Sequence, residues 1–285
     1  MPSEKVSTGE LGEPDSTGGD PWLVAIDLDG TTVDEAGTAS AAVVEQLRRV
    51  QAAGHQVLIA TGRSATATLP VLNRIGVWPE YLVCSNGGAI LRREATESTT
   101  YRRMHAAGFD AAAVVQIIRT HLPSAQFAVE DETGGYRYTH PFPPATTEDA
   151  DQQLLVPFEG LLDGHVVRVV AIVPGHDVTD FRARVERMNL TGVTFSLGWT
   201  AWLDIAAEGT TKAAAAETVR AALGVDRMHV MAVGDGFNDI EFLAWAGAFG
   251  RGVAMGHAPD ELRAVASEIT GTFDEDGLAQ VLATL

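Results

Sequence analysis

Residues 23–31 read LVAIDLDGT. Four apolar residues run straight into a polar turn that carries Asp27 and Asp29. A short apolar run bounded by turn residues predicts a buried strand. The chain on either side repeats the unit. SAAVVEQLRRVQAAG (40–54) sets Val43, Val44, Leu47 and Val50 on one helical face and stops at Gly54. QVLIA (56–60) predicts a second buried strand, ATATLPVLNRIG (65–76) a helix interrupted near Pro70, and YLVCS (81–85) a third strand. The alternation predicts an α/β fold: a Rossmann-like parallel sheet with right-handed crossovers and helices on both faces.

The same rhythm returns near the C-terminus. KAAAAETVRAALG (212–224), HVMAVG (229–234), DIEFLAWAG (239–247), FGRGVAM (249–255), PDELRAVA (259–266), EIT (268–270) and DGLAQVLATL (276–285) continue it. The middle differs. Short strand candidates AILRR, AQFAVE, YRYTH, VVRVVAIV, VTFSL and WLDIA are interleaved with helix candidates at 109–122 and 177–188. PFPPATTEDAD (141–151) reads as a Pro/Thr/acidic loop. The expected organisation is a disordered tail over 1–20, a catalytic core over 21–87 and 207–285, and an inserted α+β cap over 88–206.

Composition narrows the function. Twenty Lys and Arg stand against thirty-eight Asp and Glu in 285 residues, a net charge of −18. Nucleic acid is bound by clustered cations, so this balance argues against it, and an anionic membrane surface is disfavoured for the same reason. The lone Cys84 permits no intrachain disulfide. With no secretory pattern and no run long enough to span a membrane, a cytoplasmic location is expected. Oligomeric state is left open between monomer and homodimer.

In an open parallel sheet, ligands bind beyond the carboxyl ends of the strands. The residues just after each strand are therefore the place to look. The clusters are Asp27-Leu28-Asp29-Gly30-Thr31, Thr61-Gly62-Arg63, Ser85-Asn86-Gly87-Gly88 and Gly234-Asp235-Gly236-Phe237-Asn238-Asp239. All can reach one crevice, where Asp27, Asp29, Asp235 and Asp239 would converge. Close carboxylates repel unless a cation lies between them. Oxygen ligands without His or Cys select Mg²⁺ or another hard ion over Zn²⁺. Lys212 enters at a helix start after Gly209-Thr210-Thr211, a combination that attracts phosphate.

DLDGT, TGR, a Lys opening a helix, and GDGFND, in that order, resemble the four motifs of the haloacid dehalogenase superfamily. The insert after SNGG, WLDIAAEGTTK before the Lys, GVAMG and DEDGLAQVL resemble its Cof-type phosphatases, which carry an α/β cap of the second class. The likeness covers residues 22–285, in the cap by pattern more than by motif. It implies a Mg²⁺-dependent phosphatase of sugar phosphates or similar small metabolites, working through an aspartyl-phosphate. Asp27 would be nucleophile and metal ligand. Asp29 would be general acid/base, with its backbone carbonyl on the metal. Thr61 would bond the phosphoryl group, Lys212 would neutralise Asp27 and phosphate, and Asp235 would bind Mg²⁺ with Asp239 in support. Gly30, Gly62, Arg63, Asn86 and Asn238 fall on the phosphate or substrate side. Phe242, where relatives often carry Met or Leu, reads as a packing change, and His257 stands where Asn is common.

Plainer readings exist for several of these residues. Asp239 fits a helix N-cap, SNGG a tight turn, Arg63 a surface arginine and Lys212 a solvated helix residue. His105, His121, His140 and His165 lack metal spacing. Two other activities fit the same motifs: phosphotransfer or phosphomutase chemistry on the same fold, and non-catalytic phosphosugar binding.

Overall fold

The computed structural model describes residues 20–142, 154–198 and 200–285. Of the expected tail, all but Asp20 lies outside the described residues, as does the acidic loop from 143 onward. The chain opens with β1 (Leu23–Ile26), α1 (Ala41–Ala52), β2 (Gln56–Ala60), α2 (Ala65–Ile75) and β3 (Tyr81–Cys84), then β4 (Ala89–Arg93) and β5 (Tyr101–Ala106). Next come α3 (Ala112–His121), β6 (Gln126–Asp131), β7 (Tyr136–Tyr138), β8 (Leu154–Leu155), β9 (Val166–Ile172), α4 (Val178–Arg187), β10 (Val193–Leu197) and β11 (Trp202–Ala207). It closes with α5 (Lys212–Leu223), β12 (Val230–Gly234), α6 (Ile240–Gly247), β13 (Arg251–Ala254), α7 (Asp260–Val265), β14 (Glu268–Ile269) and α8 (Gly277–Leu282).

Among the described residues these strands form two sheets. The larger runs β14-β13-β12-β1-β2-β3-β4-β5 and the smaller β10-β11-β9-β6-β7-β8. The larger sheet is parallel from β14 to β3. Its strands alternate between two cores, as the period of two dictates. Val24 and Ile26 pack with Val43 and Leu47 of α1, Leu72 of α2 and Leu278 of α8. Leu23 and Ala25 pack with Val219 of α5, Phe242 of α6 and Leu262 of α7. Helices thus cover both faces, as expected of an α/β sheet, and β1 is wholly buried. Among the described residues no helix is long and apolar enough to cross a membrane.

Two expectations are corrected. The insert was expected to begin at residue 88, but β4 and β5 extend the larger sheet as antiparallel strands. YRRMHA lacks the apolar alternation that marks a strand, because β5 is an edge strand and its side chains stay half-buried or exposed. Nor does Pro70 interrupt α2, which runs from its Ser64 N-cap to Gly76 in the left-handed region. Pro70 lies on the exposed face, where the carbonyl deprived of its donor can be met by water.

Candidate active site

β1 and β12 are parallel neighbours, with Ile26 opposite Val233. Their carboxyl ends therefore open side by side, about 4.8 Å apart. The strand order also reverses here: β2 and β3 lie to one side of β1, β12 to β14 to the other. Such a switch point is where an open parallel sheet leaves a crevice. Asp27 follows β1, and Asp235 and Asp239 follow β12. The Asp27 backbone is fixed at both ends: its N–H donates to the Val233 carbonyl at 2.9 Å, and its carbonyl accepts from the Thr32 hydroxyl at 2.7 Å.

Asp27, Asp235 and Asp239 each offer an oxygen within 4.8 Å of the others, and all three are buried. Thr211 caps α5 by accepting from the Ala214 N–H, which sets Lys212 at the first helical position. The buried Lys212 ammonium donates to Asp27 Oδ1 at 2.5 Å and to Asp239 Oδ1 at 2.7 Å. Asp239 Oδ2 accepts the backbone N–H groups of Asp235 and Gly236 at 3.1 and 3.0 Å. Both Asp239 oxygens are thus committed, whereas Asp27 and Asp235 also line the cavity above. Thr31 donates to Asp235 Oδ1 at 3.0 Å. Gly30 lies in the left-handed region at φ 76°, and a Cβ there would come within 2.4 Å of Asp235 Oδ2, so no larger residue fits.

The charges are out of balance. Burial pushes the Asp27 carboxyl well above the usual range; Lys212 opposes the rise, and Asp239, Asp235 and Asp29 add to it. Asp239 is raised by the same burial, again against Lys212. Burial would lower Lys212, yet Asp239 and Asp27 hold it above the usual lysine range. Three clustered carboxylates face one ammonium, which bonds only Asp27 and Asp239, a set that a further cation would relieve.

The Asp29 carboxylate lies apart from this cluster, nearly half-exposed. Arg63 Nε reaches both its oxygens, at 3.0 and 2.8 Å, and Nη2 reaches Oδ1 at 2.5 Å. Thr61 is fully buried, and its hydroxyl accepts the Arg63 N–H at 3.0 Å. Its carbonyl accepts the N–H of Asn86. Asn238 donates to Asn86 Oδ1 at 3.0 Å, and Gly62 borders the same cavity. The SNGG segment is a tight turn with Ser85 and Asn86 both at φ 53°. It packs against the residue before Lys212: a Cβ on Gly87 would lie 2.3 Å from the Thr211 carbonyl oxygen. SNGG is thus a tight turn whose Asn86 lines the cavity.

Several residues at the site were not singled out in the sequence. The cavity, about 560 Å³, is also lined by Arg168, Trp202 and Asp204 from the smaller sheet. Buried Glu130 accepts from Ser85 Oγ at 2.5 Å, Tyr136 at 2.8 Å and Arg103 at 3.2 Å. Period-two placement of Trp202 and Asp204 in WLDIAA is a signal that could have found those two. His257 accepts the Phe273 N–H on Nδ1 at 3.2 Å, and its Nε2 lies 3.7 Å from Asp235 Oδ2, which raises the imidazole pKa. Phe242 is buried and stacks on Trp245. Among the described residues, none of His105, His121, His140 and His165 joins a cluster able to hold a metal.

The sequence pattern of the family described as haloacid dehalogenase-like hydrolase matches residues 24–282. The chain is 24% identical to the 5-amino-6-(5-phospho-D-ribitylamino)uracil phosphatase YitU of Bacillus subtilis, over 92% of this chain and 96% of that one. It is 27% identical to the pyridoxal phosphate phosphatase YbhA of Escherichia coli, over 91% and 97% respectively. A haloacid dehalogenase-like hydrolase from B. subtilis superposes with a TM-score of 0.76 at 21% identity, covering 93% of this chain and 99% of that one.

Proposed function

The chain belongs to the haloacid dehalogenase-like hydrolases, and from there we propose a Mg²⁺-dependent phosphatase of small phosphorylated metabolites, sugar phosphates or similar phosphomonoesters. One observation carries the reading: buried Asp27, Asp235 and Asp239 converge, Lys212 bonds two of them, and Asp27 and Asp235 line a metabolite-sized cavity. Two relatives named as phosphatases of small phosphorylated compounds support the reaction class.

The donor set fits a hard cation, being all oxygen and short of positive charge. Asp27 and Asp235 would hold Mg²⁺ with the Asp29 carbonyl, and Asp239 would support them from behind. When bound, the ion offsets negative charge gathering on the phosphoryl oxygens. The chain's own groups do the rest. A free Asp27 oxygen attacks phosphorus, forming an aspartyl-phosphate as the bond to the leaving oxygen breaks. Asp29, released from Arg63 and entering the step in its protonated form, gives that oxygen its proton, then takes one from the water that hydrolyses the acyl-phosphate. Asp27 and Asp29 return to their starting forms as phosphate leaves. Lys212, held charged, neutralises Asp27 and the phosphoryl group, while Thr61 and Asn238 face that group with hydrogen-bonding side chains.

Metal removal tests this. EDTA is expected to abolish phosphate release and Mg²⁺ to restore it. Without substrate, Mg²⁺ at a hundredfold over its Kd should raise the melting temperature by roughly 5–10 °C, since it binds the native state alone. Asp235→Ala should raise the Mg²⁺ concentration needed for both effects. Full activity in metal-free buffer would sink the assignment.

A further inference from the structure

The cavity that reaches Asp27 has a far wall built by the smaller sheet, where Trp202, Asp204, Ser196 and Arg168 line it. Trp202 and Asp204 stand two apart on β11 and so share a face, while Leu203 and Ile205 point into the core beneath α3 and α4. Ser196 lies directly across from Asp204 in the pairing of β10 with β11.

This wall is fixed in place. Arg168, only 5% exposed, holds Asp204 Oδ1 with Nε at 2.6 Å and Nη2 at 2.5 Å. Asp204 Oδ2 accepts the Trp202 indole N–H at 3.1 Å, and the Asn86 amide approaches it only to 3.4 Å. A carboxylate oxygen has two lone-pair sites, so Oδ2 can take one good donor from the cavity in place of that long contact. The indole is steadied by Phe142, whose ring meets it nearly edge-on with centroids 6.1 Å apart. Gly198 packs closely on the base of this side chain, since a Cβ there would lie 3.0 Å from Trp202 Cβ.

Charge decides what the wall can accept. The lining carries Glu35, Asp204, Asp27, Asp29 and Asp235, against Arg63 and Arg168. Arg63 is paired with Asp29, and Arg168 with Asp204. Away from the phosphoryl end, neither lining arginine is left to meet a second anion. Such a group would be desolvated beside Asp204 without a partner, which is costly. A hydroxyl or ring N–H would instead meet a ready acceptor, and a ring face would meet the indole.

We propose that Trp202 and the Arg168-tethered Asp204 seat the leaving group, and that they select monophosphates whose leaving group is uncharged, donates hydrogen bonds and presents a ring face. The inference rests on the phosphatase reading of the Asp27 end, and the test separates the two. Glucose 6-phosphate is to be compared with glucose 1,6-bisphosphate, fructose 6-phosphate with fructose 1,6-bisphosphate, and all of them with acetyl phosphate, which offers the seat almost nothing. In each matched pair, kcat/KM should favour the uncharged member by about tenfold or more, the scale of a like-charge clash in a closed site. Asp204→Asn keeps an acceptor but removes the charge, and should bring each pair to within about threefold of parity. Should that variant fail to fold around an unpaired Arg168, Trp202→Leu serves in its place. It should lower kcat/KM for glucose 6-phosphate about tenfold more than for acetyl phosphate, the loss expected for one aromatic contact in a closed site. Turnover of acetyl phosphate together with a preference for the charged member of each pair overturns the seat and leaves the phosphatase reading standing. No phosphate release from any of the five compounds overturns both.

Discussion

Asp27→Asn is expected to lower kcat by about 10⁴-fold or more, the scale on which loss of a nucleophile typically acts. The substitution keeps size and shape but removes the anionic oxygen that would attack phosphorus. The surroundings allow the fold to survive it. The Asp27 backbone contacts to Val233 and Thr32 do not involve the side chain. Lys212 keeps its 2.7 Å bond to Asp239, so its buried charge is not orphaned. The asparagine also relieves part of the carboxylate crowding that raises Asp27. A melting temperature within a few degrees of the wild type should therefore accompany the lost turnover, with phosphate release and circular dichroism as the two measurements. Activity near the wild-type level would remove Asp27 from the nucleophile's role.

The residues at the phosphoryl end were accessible to sequence reading for a physical reason. Each polar cluster directly follows a buried apolar strand, and parallel strands must end on the same side of their sheet. LVAI and HVMAV could therefore be expected to deliver Asp27 and Asp235 to one crevice before their pairing was known, and the structure pairs them as neighbours. Elements that depend on distant partners were harder to read. β5 shows no apolar alternation because its side chains stay half-buried or exposed, so neither face demands apolar residues. Pro70 looked like a helix breaker because sequence does not tell whether the deprived carbonyl faces core or water.

The far wall of the cavity was hidden for a related reason. Arg168 is met by Asp204 from a strand thirty-six positions away, and Glu130 reaches Ser85 from forty-five. The first meeting is set by the register within the smaller sheet, with Asp204 opposite Val170 and Glu130 opposite Arg168, and the second by the packing of that sheet on the turn after β3. A one-residue slip would turn every such side chain to the other face. A charged residue inside a strand is a visible oddity in sequence, but its partner is not. In the proposed reading, phosphate chemistry sits in short contiguous motifs, whereas the residues proposed to select the substrate are scattered over three strands of the smaller sheet. That division explains why reaction class could be read ahead of substrate.

Asp29→Ala is expected to act according to the leaving group, and this separates Asp29 from Asp27. A general acid contributes about 10²- to 10⁴-fold by protonating the departing oxygen. A sugar alkoxide needs that proton; p-nitrophenolate, a far better leaving group, needs it much less. Phosphoryl transfer from a sugar phosphate should therefore slow by about that factor, and transfer from p-nitrophenyl phosphate by far less. The second step lacks its base with either substrate, so aspartyl-phosphate should accumulate on Asp27 with the aryl ester. Rapid mixing should show a burst of nitrophenol near one per active site, followed by slow turnover. The position of Asp29 sharpens the expectation. Both its oxygens are held by Arg63 at the cavity wall, outside the buried Asp27, Asp235 and Asp239 set. Its removal should leave the Mg²⁺-induced rise in melting temperature in place, because its carboxylate is not among the clustered oxygens. Equal slowing of the first step for both leaving groups, with no phosphoenzyme, would instead make Asp29 a positional partner of Arg63.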